Sequence, residues 1–217
     1  MSAKKRIIAD LLFGVQVVCA TLFCGAYAVR SLTDVTGSSI AQFGLVAAFL
    51  VFNLALGVGA HRSAPSRVTR QAIATYIIWL VLVAAIIVAA WTNPMYRWNE
   101  KDTTTLVTTV FLTIAVLLMS YLRRLSLKDP MVKGSFAIAY KSVPQVLLAW
   151  KFLAEGATGT PGLSVLLGHV TIFVRLGQIY FMVREAGWDR NRTWLAVSET
   201  ANELSWIVAT AAWIMMM

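Results

Sequence analysis

Four ionisable side chains lie deep within long apolar stretches of this 217-residue chain. They are two bases and two acids: Lys141, Arg175, Glu199 and Glu203. A charged side chain at the centre of a membrane helix costs about 2.5 to 3.5 kcal/mol on insertion scales, so such residues usually face a partner or water. Two such bases can bind the acidic group of a small solute, and intramembrane carboxyl groups often relay protons.

The two acids belong to a polar stripe on the last apolar segment. Glu199, Asn202, Glu203 and Trp206 are spaced i, i+3, i+4 and i+7, which is the spacing of one helix face. In a solute site, Glu203 and Asn202 are suited to hold an amine or a hydroxyl group. We therefore predict that all four residues line a substrate-binding surface.

The two bases also have polar neighbours at helical spacing. Lys141 and Gln145 are four residues apart, and Arg175 and Gln178 are three apart, so each pair lies on one helix face. The most economical packing turns these two faces toward the polar stripe of the last segment. We predict that these four residues bind substrate as well.

Opposite charges on three helix faces predict two ion pairs between helices. We expect Glu203 to pair with Arg175 and Glu199 to pair with Lys141. One interpretation is structural: such pairs fix helix rotation, although polar contacts between membrane helices average only about 0.6 kcal/mol. A cluster this dense exceeds that need, so we favour a polar cavity formed mainly by helices five to seven.

Five further polar residues have less definite roles. We expect Asn53, Gln16 and Tyr76 to form the opposite wall of the cavity, and count Asn53 among the substrate-binding candidates. A lone His such as His169 is more often a satisfied interior residue than a proton carrier. Lys151 lies near the end of its apolar segment, from which its long side chain can snorkel to the membrane surface.

Seven apolar segments must position these side chains. Hydrophobic residues make up 59% of the chain, against about 45 to 50% in an ordinary globular domain. About 20 residues of helix cross the hydrocarbon core, and in lipid each segment must satisfy its own backbone hydrogen bonds. The predicted fold class is an all-α membrane protein with seven transmembrane helices. The segments are 8–28, 39–60, 71–91, 103–122, 134–154, 161–183 and 194–215.

The basic residues fall mostly on one side of this arrangement. Thirteen lie in the amino-terminal segment and in alternate loops: Lys4, Lys5, Arg6, Arg62, Arg67, Arg70, Arg123, Arg124, Lys128, Lys133, Arg184, Arg190 and Arg192. Only Arg30, Arg97 and Lys101 lie on the other side. The positive-inside rule predicts a cytoplasmic amino terminus and an outside carboxyl terminus. It also explains the net charge of +9 without a nucleic-acid partner, and we expect an integral protein of the plasma membrane.

An internal repeat predicts how the helices are grouped. Aligning residues 36–91 with residues 158–213 without a gap gives twelve identities in 56 positions, including Thr36-Gly37 with Thr158-Gly159. Two unrelated helix pairs with similar loops remain an alternative. The repeat predicts three parts: a first three-helix repeat at 1–92, a linker helix at 93–128 and a second repeat at 129–217. An intervening linker helix makes the repeats parallel.

One motif resembles a known superfamily. Residues 142–151 read SVPQVLLAWK, and residues 158–164 read TGTPGLS. An apolar helix with Pro144-Gln145 that leads into a short loop and a Gly, Leu, Ser helix start resembles the PQ-loop proteins, which include SWEET sugar facilitators and lysosomal amino-acid exporters. The resemblance implies three plus one plus three helices, movement of a small polar solute, a hinge at Pro144 and a place for Gln145 near the path.

Two features depart from that superfamily. Val15-Gln16 stands where a second Pro-Gln is expected. SWEET-like proteins usually place the amino terminus outside, whereas the positive-inside rule places this one in the cytoplasm.

The predicted function is transport. The sequence has no Gly-x-Ser-x-Gly, His-Glu-x-x-His or glycine-rich phosphate loop, so we predict neither an enzyme nor a cofactor nor a metal site. We expect a transporter or facilitator that moves a small polar solute, anionic or zwitterionic, and contacts the lipid bilayer. A monomer and a homo-oligomer both fit the sequence. The alternative is a seven-helix receptor or assembly subunit without transport activity.

Overall fold

The computed structural model describes residues 3–217, with side chains described from Ile7 onward except Ala9. In this part of the chain all regular structure is helical. The helices are α1 (Ala3–Ser31), α2 (Ile40–Ser63), α3 (Arg67–Thr92), α4 (Glu100–Leu122), α5 in three consecutive pieces (Pro130–Ala137, Ile138–Ser142 and Val143–Glu155), α6 (Gly162–Ala186) and α7 (Arg190–Met216).

Five of these helices are long and apolar enough to cross a membrane. The candidate spans are Asp10–Ser31, Ile40–Ser63, Arg67–Thr92, Glu100–Leu122 and Gly162–Ala186. The protein is therefore an all-α membrane protein. The predicted segments five and seven correspond to α5, which is interrupted, and to α7, which carries the polar stripe.

Side-chain caps set where most of the helices begin. The residue before each helix accepts a hydrogen bond from a backbone N–H of the first turn, and thus satisfies a donor that the helix leaves free. The capping residues are Ser39 for α2, Ser66 for α3, Asn99 for α4, Asp129 for α5 and Asp189 for α7.

The third helix of each predicted triplet packs against the other two. Helix α3 contacts α1 and α2, while α7 contacts α5 and α6. The two groups meet where α1 packs on α6 and α2 packs on α5, and α4 lies against α2 and α5. One apolar core forms around Phe152 and Trp206, and another around Tyr27 and Ile86.

Helix α5 contains a π-helical turn in its middle. The turn spans Ile138–Ser142, and Pro144 is the second residue of the α-helical piece Val143–Glu155. A proline has no N–H to donate, and its ring clashes with the carbonyl four residues earlier, here that of Tyr140. The wider turn relieves this clash. It also contains Lys141, and π-helical turns often occur at functional sites.

The α1–α2 and α5–α6 loops pack directly on each other. Gly159 donates its N–H to the Thr36 carbonyl at 3.1 Å, and a Cβ on Gly159 would lie only 2.7 Å from the Thr36 backbone. A Cβ on Gly37 would overlap the carbonyl oxygen of Gly156. Gly37 also has a φ of +73°, which favours glycine. We call this contact, between residues 34–38 and 156–160, the loop junction.

Side chains from α1 hold the loop junction together. The Tyr27 hydroxyl lies 3.0 Å from the Thr160 hydroxyl and donates to Ser38 at 3.4 Å. Arg30 Nε donates to the Thr158 carbonyl at 2.9 Å. The loops α2–α3, α4–α5 and α6–α7 lie at the other end of the helices. Most of the basic residues lie in these loops or on the helix turns beside them, and we call this end the basic end.

Candidate functional site

Two helices bring charged groups to the Glu199 carboxylate of α7. Lys141 Nζ of α5 donates to its two oxygens at 3.1 and 3.0 Å. Arg175 Nε of α6 lies 3.9 Å from Oε1, and the Asn202 amide donates to Oε2 at 3.3 Å. We call Lys141, Arg175 and Glu199 the charged triad. Its formation confirms the predicted pairing of Lys141 with Glu199.

The charged triad has an excess of positive charge and is partly open. Two bases share one carboxylate, so its formal charge is +1. The side chain of Arg175 is 34% exposed and that of Lys141 is 20% exposed, whereas that of Glu199 is 12% exposed. Lys141 Nζ also lies 5.9 Å from the centre of the Phe49 ring on α2. The bases can therefore reach a solute, and the arrangement suits an acidic group.

The predicted pair of Glu203 with Arg175 is wrong. Glu203 Oε1 lies 2.6 Å from His169 Nδ1 on α6, and Arg175 reaches Glu199 instead. The reason is direction: α6 and α7 run antiparallel, so a residue one turn later on α7 faces a residue earlier on α6. Because Glu199 lies opposite Arg175, Glu203 meets His169.

The His169 ring has a partner on each nitrogen. Its Nε2 lies 3.0 Å from the Thr210 hydroxyl, and its Nδ1 faces Glu203. Among the described residues, Glu203 Oε2 is buried and has no hydrogen-bond partner. We call His169 and Glu203 the His–Glu dyad.

The predicted glutamines extend the polar contacts to a fourth helix. Gln178 accepts from Arg175 at 3.1 Å and donates to Gln16 of α1 at 3.5 Å. Gln145 accepts a hydrogen bond from Ser205 of α7. Of the predicted opposite wall, Gln16 thus joins this set of polar side chains through a hydrogen bond.

The contacts found for the remaining predicted residues are with groups other than the charged triad. Trp206 is buried, packs on Gly168 and donates to the Val165 carbonyl at 3.1 Å. Asn53 donates to a backbone carbonyl of its own helix, α2. Tyr76 packs with the apolar core of α1 to α3. The buried Pro144 lies one turn from Lys141. Substrate contact by these residues stays a prediction.

A second buried ion pair was not predicted. Lys151 Nζ of α5 lies 2.6 Å from Asp102 Oδ2 of α4, and neither side chain is more than 4% exposed. Asp102 also accepts hydrogen bonds from Ser39 at 2.6 Å and from Tyr96 at 3.0 Å. The expectation that Lys151 snorkels to the membrane surface is therefore wrong, because a carboxylate is within reach inside the bundle.

A cavity of about 240 Å³ lies beside this buried pair. Its lining includes Tyr96, Arg97, Lys151 and Glu155. Tyr96 lies in the α3–α4 loop, where burial raises the pKa of its hydroxyl, and the negative charge of Asp102 raises it further. The Tyr96 hydroxyl therefore stays neutral and remains a donor to Asp102.

A larger and more open cavity of about 510 Å³ lies between α1 and α3 near the basic end. Its lining includes Phe13, Arg67, Arg70 and Gln71. Arg67 and Gln71 both donate to Asp10 of α1. These contacts join α1 to α3 within the first group of helices.

The described residues contain no group of three or more His, Cys, Asp or Glu side chains that could hold a metal ion. Comparisons with protein-family models, with curated proteins and with solved structures find no match to this chain.

Proposed function

We propose that this protein is a membrane transporter or facilitator for a small polar solute that carries an acidic group. The main support for this proposal is the charged triad. Its formal charge of +1 is shared among α5, α6 and α7, and Arg175 and Lys141 keep part of their surface accessible. A charge inside a membrane bundle is costly without a partner, so a bound anion offsets the excess.

The surrounding polar residues suit the rest of such a solute. Arg175 and Lys141 would bind the acidic group, while Asn202 presents an unpartnered and buried amide oxygen among the described residues. That oxygen can accept a hydrogen bond from an amine or a hydroxyl group. Four more residues complete the proposed site: Gln178, Gln145, Trp206 and Asn53.

The loop junction supplies a barrier at one end of the path. Its backbones touch at Gly37 and Gly159, and the α1 side chains Tyr27 and Arg30 bond across it. Separation of the loops, with bending of α5 at Pro144 and its π-helical turn, would open that end. Alternating access then consists of one helix group rocking against the other.

We further propose seven membrane crossings in two parallel triplets joined by α4, as in the PQ-loop superfamily. The packing of α3 and α7 between the other helices of their groups supports this grouping. The PQ-loop assignment is supported by Pro144-Gln145 and by the loop sequence that follows. The charge distribution favours a plasma-membrane protein with its basic end in the cytoplasm.

Solute-dependent thermal stabilisation tests this proposal. The purified protein in detergent is melted with lactate, succinate or glutamate, and with glucose as an uncharged control. We expect at least one carboxylate to raise the melting temperature, because a ligand that binds only the folded state stabilises it. Arg175→Gln should lose that increase, and so should Lys141→Gln.

Arg123→Gln is the matched control, since Arg123 is an exposed base in the α4–α5 loop. It should keep the wild-type response. If no carboxylate stabilises the wild-type protein and a protein partner co-purifies with it, the proposal is wrong, and a receptor or assembly subunit is favoured.

A further inference from the structure

Glu203 is held in an environment that does not suit a bare carboxylate. It is buried, one oxygen contacts His169, and the other has no partner among the described residues. In the same part of the chain, no Lys or Arg nitrogen lies within 4 Å of it. An ionised carboxylate in this position has no base in direct contact, and burial of a charge without such a contact is costly.

Binding of one proton neutralises the formal charge of the His–Glu dyad. Between His169 Nδ1 and Glu203 Oε1, at 2.6 Å, the proton produces either an imidazolium–carboxylate pair or an imidazole–carboxylic acid pair. In both cases the formal charge of the His–Glu dyad changes from −1 to 0.

The Thr210 hydroxyl can hydrogen-bond to the His169 ring both before and after the dyad binds a proton. A threonine hydroxyl both donates and accepts hydrogen bonds. It can donate to Nε2 when that nitrogen carries no proton, as before proton binding, and accept from Nε2–H in either protonated form of the dyad, across the same 3.0 Å contact. The dyad can therefore bind and release a proton without a rearrangement of the backbone.

The charge on the dyad affects the charged triad nearby. Glu203 and Glu199 are four residues apart on α7, which places their Cβ atoms about 5 to 6 Å apart. Without the added proton, the −1 of the dyad cancels the +1 of the triad. With it, the triad keeps an uncompensated positive charge, which favours an anion.

We propose that the His–Glu dyad is a proton-binding site and that the transporter moves its acidic solute together with a proton. This inference rests on the proposed function, because it assigns the coupling ion of the same site. On α7, Glu199 lies one turn from Glu203, pairs with Lys141 of α5 and lies near Arg175 of α6. The centre of the uncharged Trp206 ring lies 6.3 Å from that of the His169 ring, and Phe23 of α1 packs on Trp206. Proton and anion binding favour each other reciprocally.

The first experiment examines the proton site without any solute. Infrared spectra of the purified protein are recorded between about pH 5 and 8, the range in which His changes charge. We expect carboxyl or imidazole bands that change with pH and that are lost in both Glu203→Gln and His169→Gln. His61→Gln is the matched control, because the His61 ring forms a hydrogen bond with Thr69 near the basic end, away from the dyad, and this variant should keep these bands. Unchanged spectra in Glu203→Gln would overturn the proton site.

The second experiment examines coupling in proteoliposomes. Uptake of lactate, succinate or glutamate is measured with and without an inwardly directed proton gradient. We expect the gradient to speed wild-type uptake by a factor within the range of about 5 to 150 that couplings between sites commonly span. In Glu203→Gln and His169→Gln, the rate of solute uptake should be the same with and without the proton gradient. Melting curves should show that both variants fold.

The two proposals fail in different ways. Uptake by the wild-type protein that ignores the proton gradient would overturn proton coupling and leave transport standing. Absence of both uptake and solute-dependent stabilisation would overturn the proposed transport function, while the infrared titration would still decide whether the dyad binds a proton.

Discussion

Glu199 and Glu203 are the same residue type, one turn apart, yet their surroundings give them different roles. Glu199 accepts two hydrogen bonds from Lys141 and lies near Arg175. Two bases offset its charge, so it is suited to hold the bases in place. Among the described residues, the carboxylate of Glu203 contacts only His169, which can change its charge, and Glu203 is therefore suited to respond to protons.

The buried pair of Lys151 and Asp102 leads to a prediction about single residues. Either Lys151→Met or Asp102→Asn should lower the free energy of unfolding by about 3 to 5 kcal/mol, because each leaves a buried polar or charged group without its partner. The double variant should lose less than the sum of the two. Chemical unfolding in mixed micelles measures all three.

Lys128→Met is the control for those variants, because Lys128 is exposed in the α4–α5 loop. Additive losses in the double variant would contradict the direct pairing of Lys151 with Asp102.

Among the structural elements, the two loops of the loop junction require glycine at their contact. Gly37→Ala should weaken the junction, since Cβ would overlap the Gly156 carbonyl and φ is +73°, a conformation that costs other residues about 1 to 2 kcal/mol. A lower melting temperature and faster thiol labelling of Ala157→Cys, a buried position of the junction, with Cys19 and Cys24 replaced by Ala, would report the weaker contact.

Gly44→Ala is the matched substitution. Gly44 is a helical residue of α2, and a Cβ added there would meet no atom within 4 Å, so this change should leave both measurements at the wild-type level. Equal effects of the two substitutions would show that the loop contact does not need Gly37.

Asp34 makes the same junction sensitive to acid. Burial raises the pKa of its carboxyl, but hydrogen bonds from Thr36 and Thr158 and the charge of Arg30 lower it more, so the net pKa is below 3.8. The stabilisation is thus fully present above pH 3.8 and is lost as the pH falls through the lower pKa of the folded state.

The pH dependence follows from that sign. The melting temperature of the wild-type protein should fall more steeply than that of Asp34→Asn as the medium is acidified below about pH 4. Above that range, Asp34→Asn should be the less stable of the two by a constant amount. Parallel curves over the whole range would exclude a contribution of the Asp34 charge.

At the scale of the whole molecule, the proposed topology can be tested by labelling. In a background with Cys19 and Cys24 replaced by Ala, single cysteines are placed at Met95, Trp188 and Met217, which are all well exposed. With an impermeant thiol reagent on intact cells, Met95→Cys and Met217→Cys should react at once. Trp188→Cys should react only after the cells are opened, because its loop belongs to the basic end.

This labelling also tests whether α7 crosses the membrane. Trp188 and Met217 lie on either side of α7 (Arg190–Met216), so opposite labelling means one crossing between them. Equal labelling would show that α7 does not cross, and the proposed seven-crossing arrangement would be wrong.

Local spacing was sufficient to predict the helices and their polar faces. Apolar runs of about twenty residues predicted each helix to within a few residues, and the spacing from Glu199 to Trp206 predicted a polar stripe on α7. The first depends on the length of helix that crosses the hydrocarbon core and the second on the 3.6-residue period of the helix, and both can be seen in neighbouring residues. The pairing of Lys141 with Glu199 also followed from opposite charges on polar helix faces.

The packing of the helices determines which residues that are distant in the chain come into contact. The antiparallel course of α6 and α7 set His169, not Arg175, opposite Glu203, and the closeness of α4 to α5 brought Asp102 to Lys151. Helical periodicity predicts which residues share a helix face. It does not predict the direction, the depth or the rotation of a neighbouring helix. Those three quantities arise only when the apolar surfaces of all the helices are packed together.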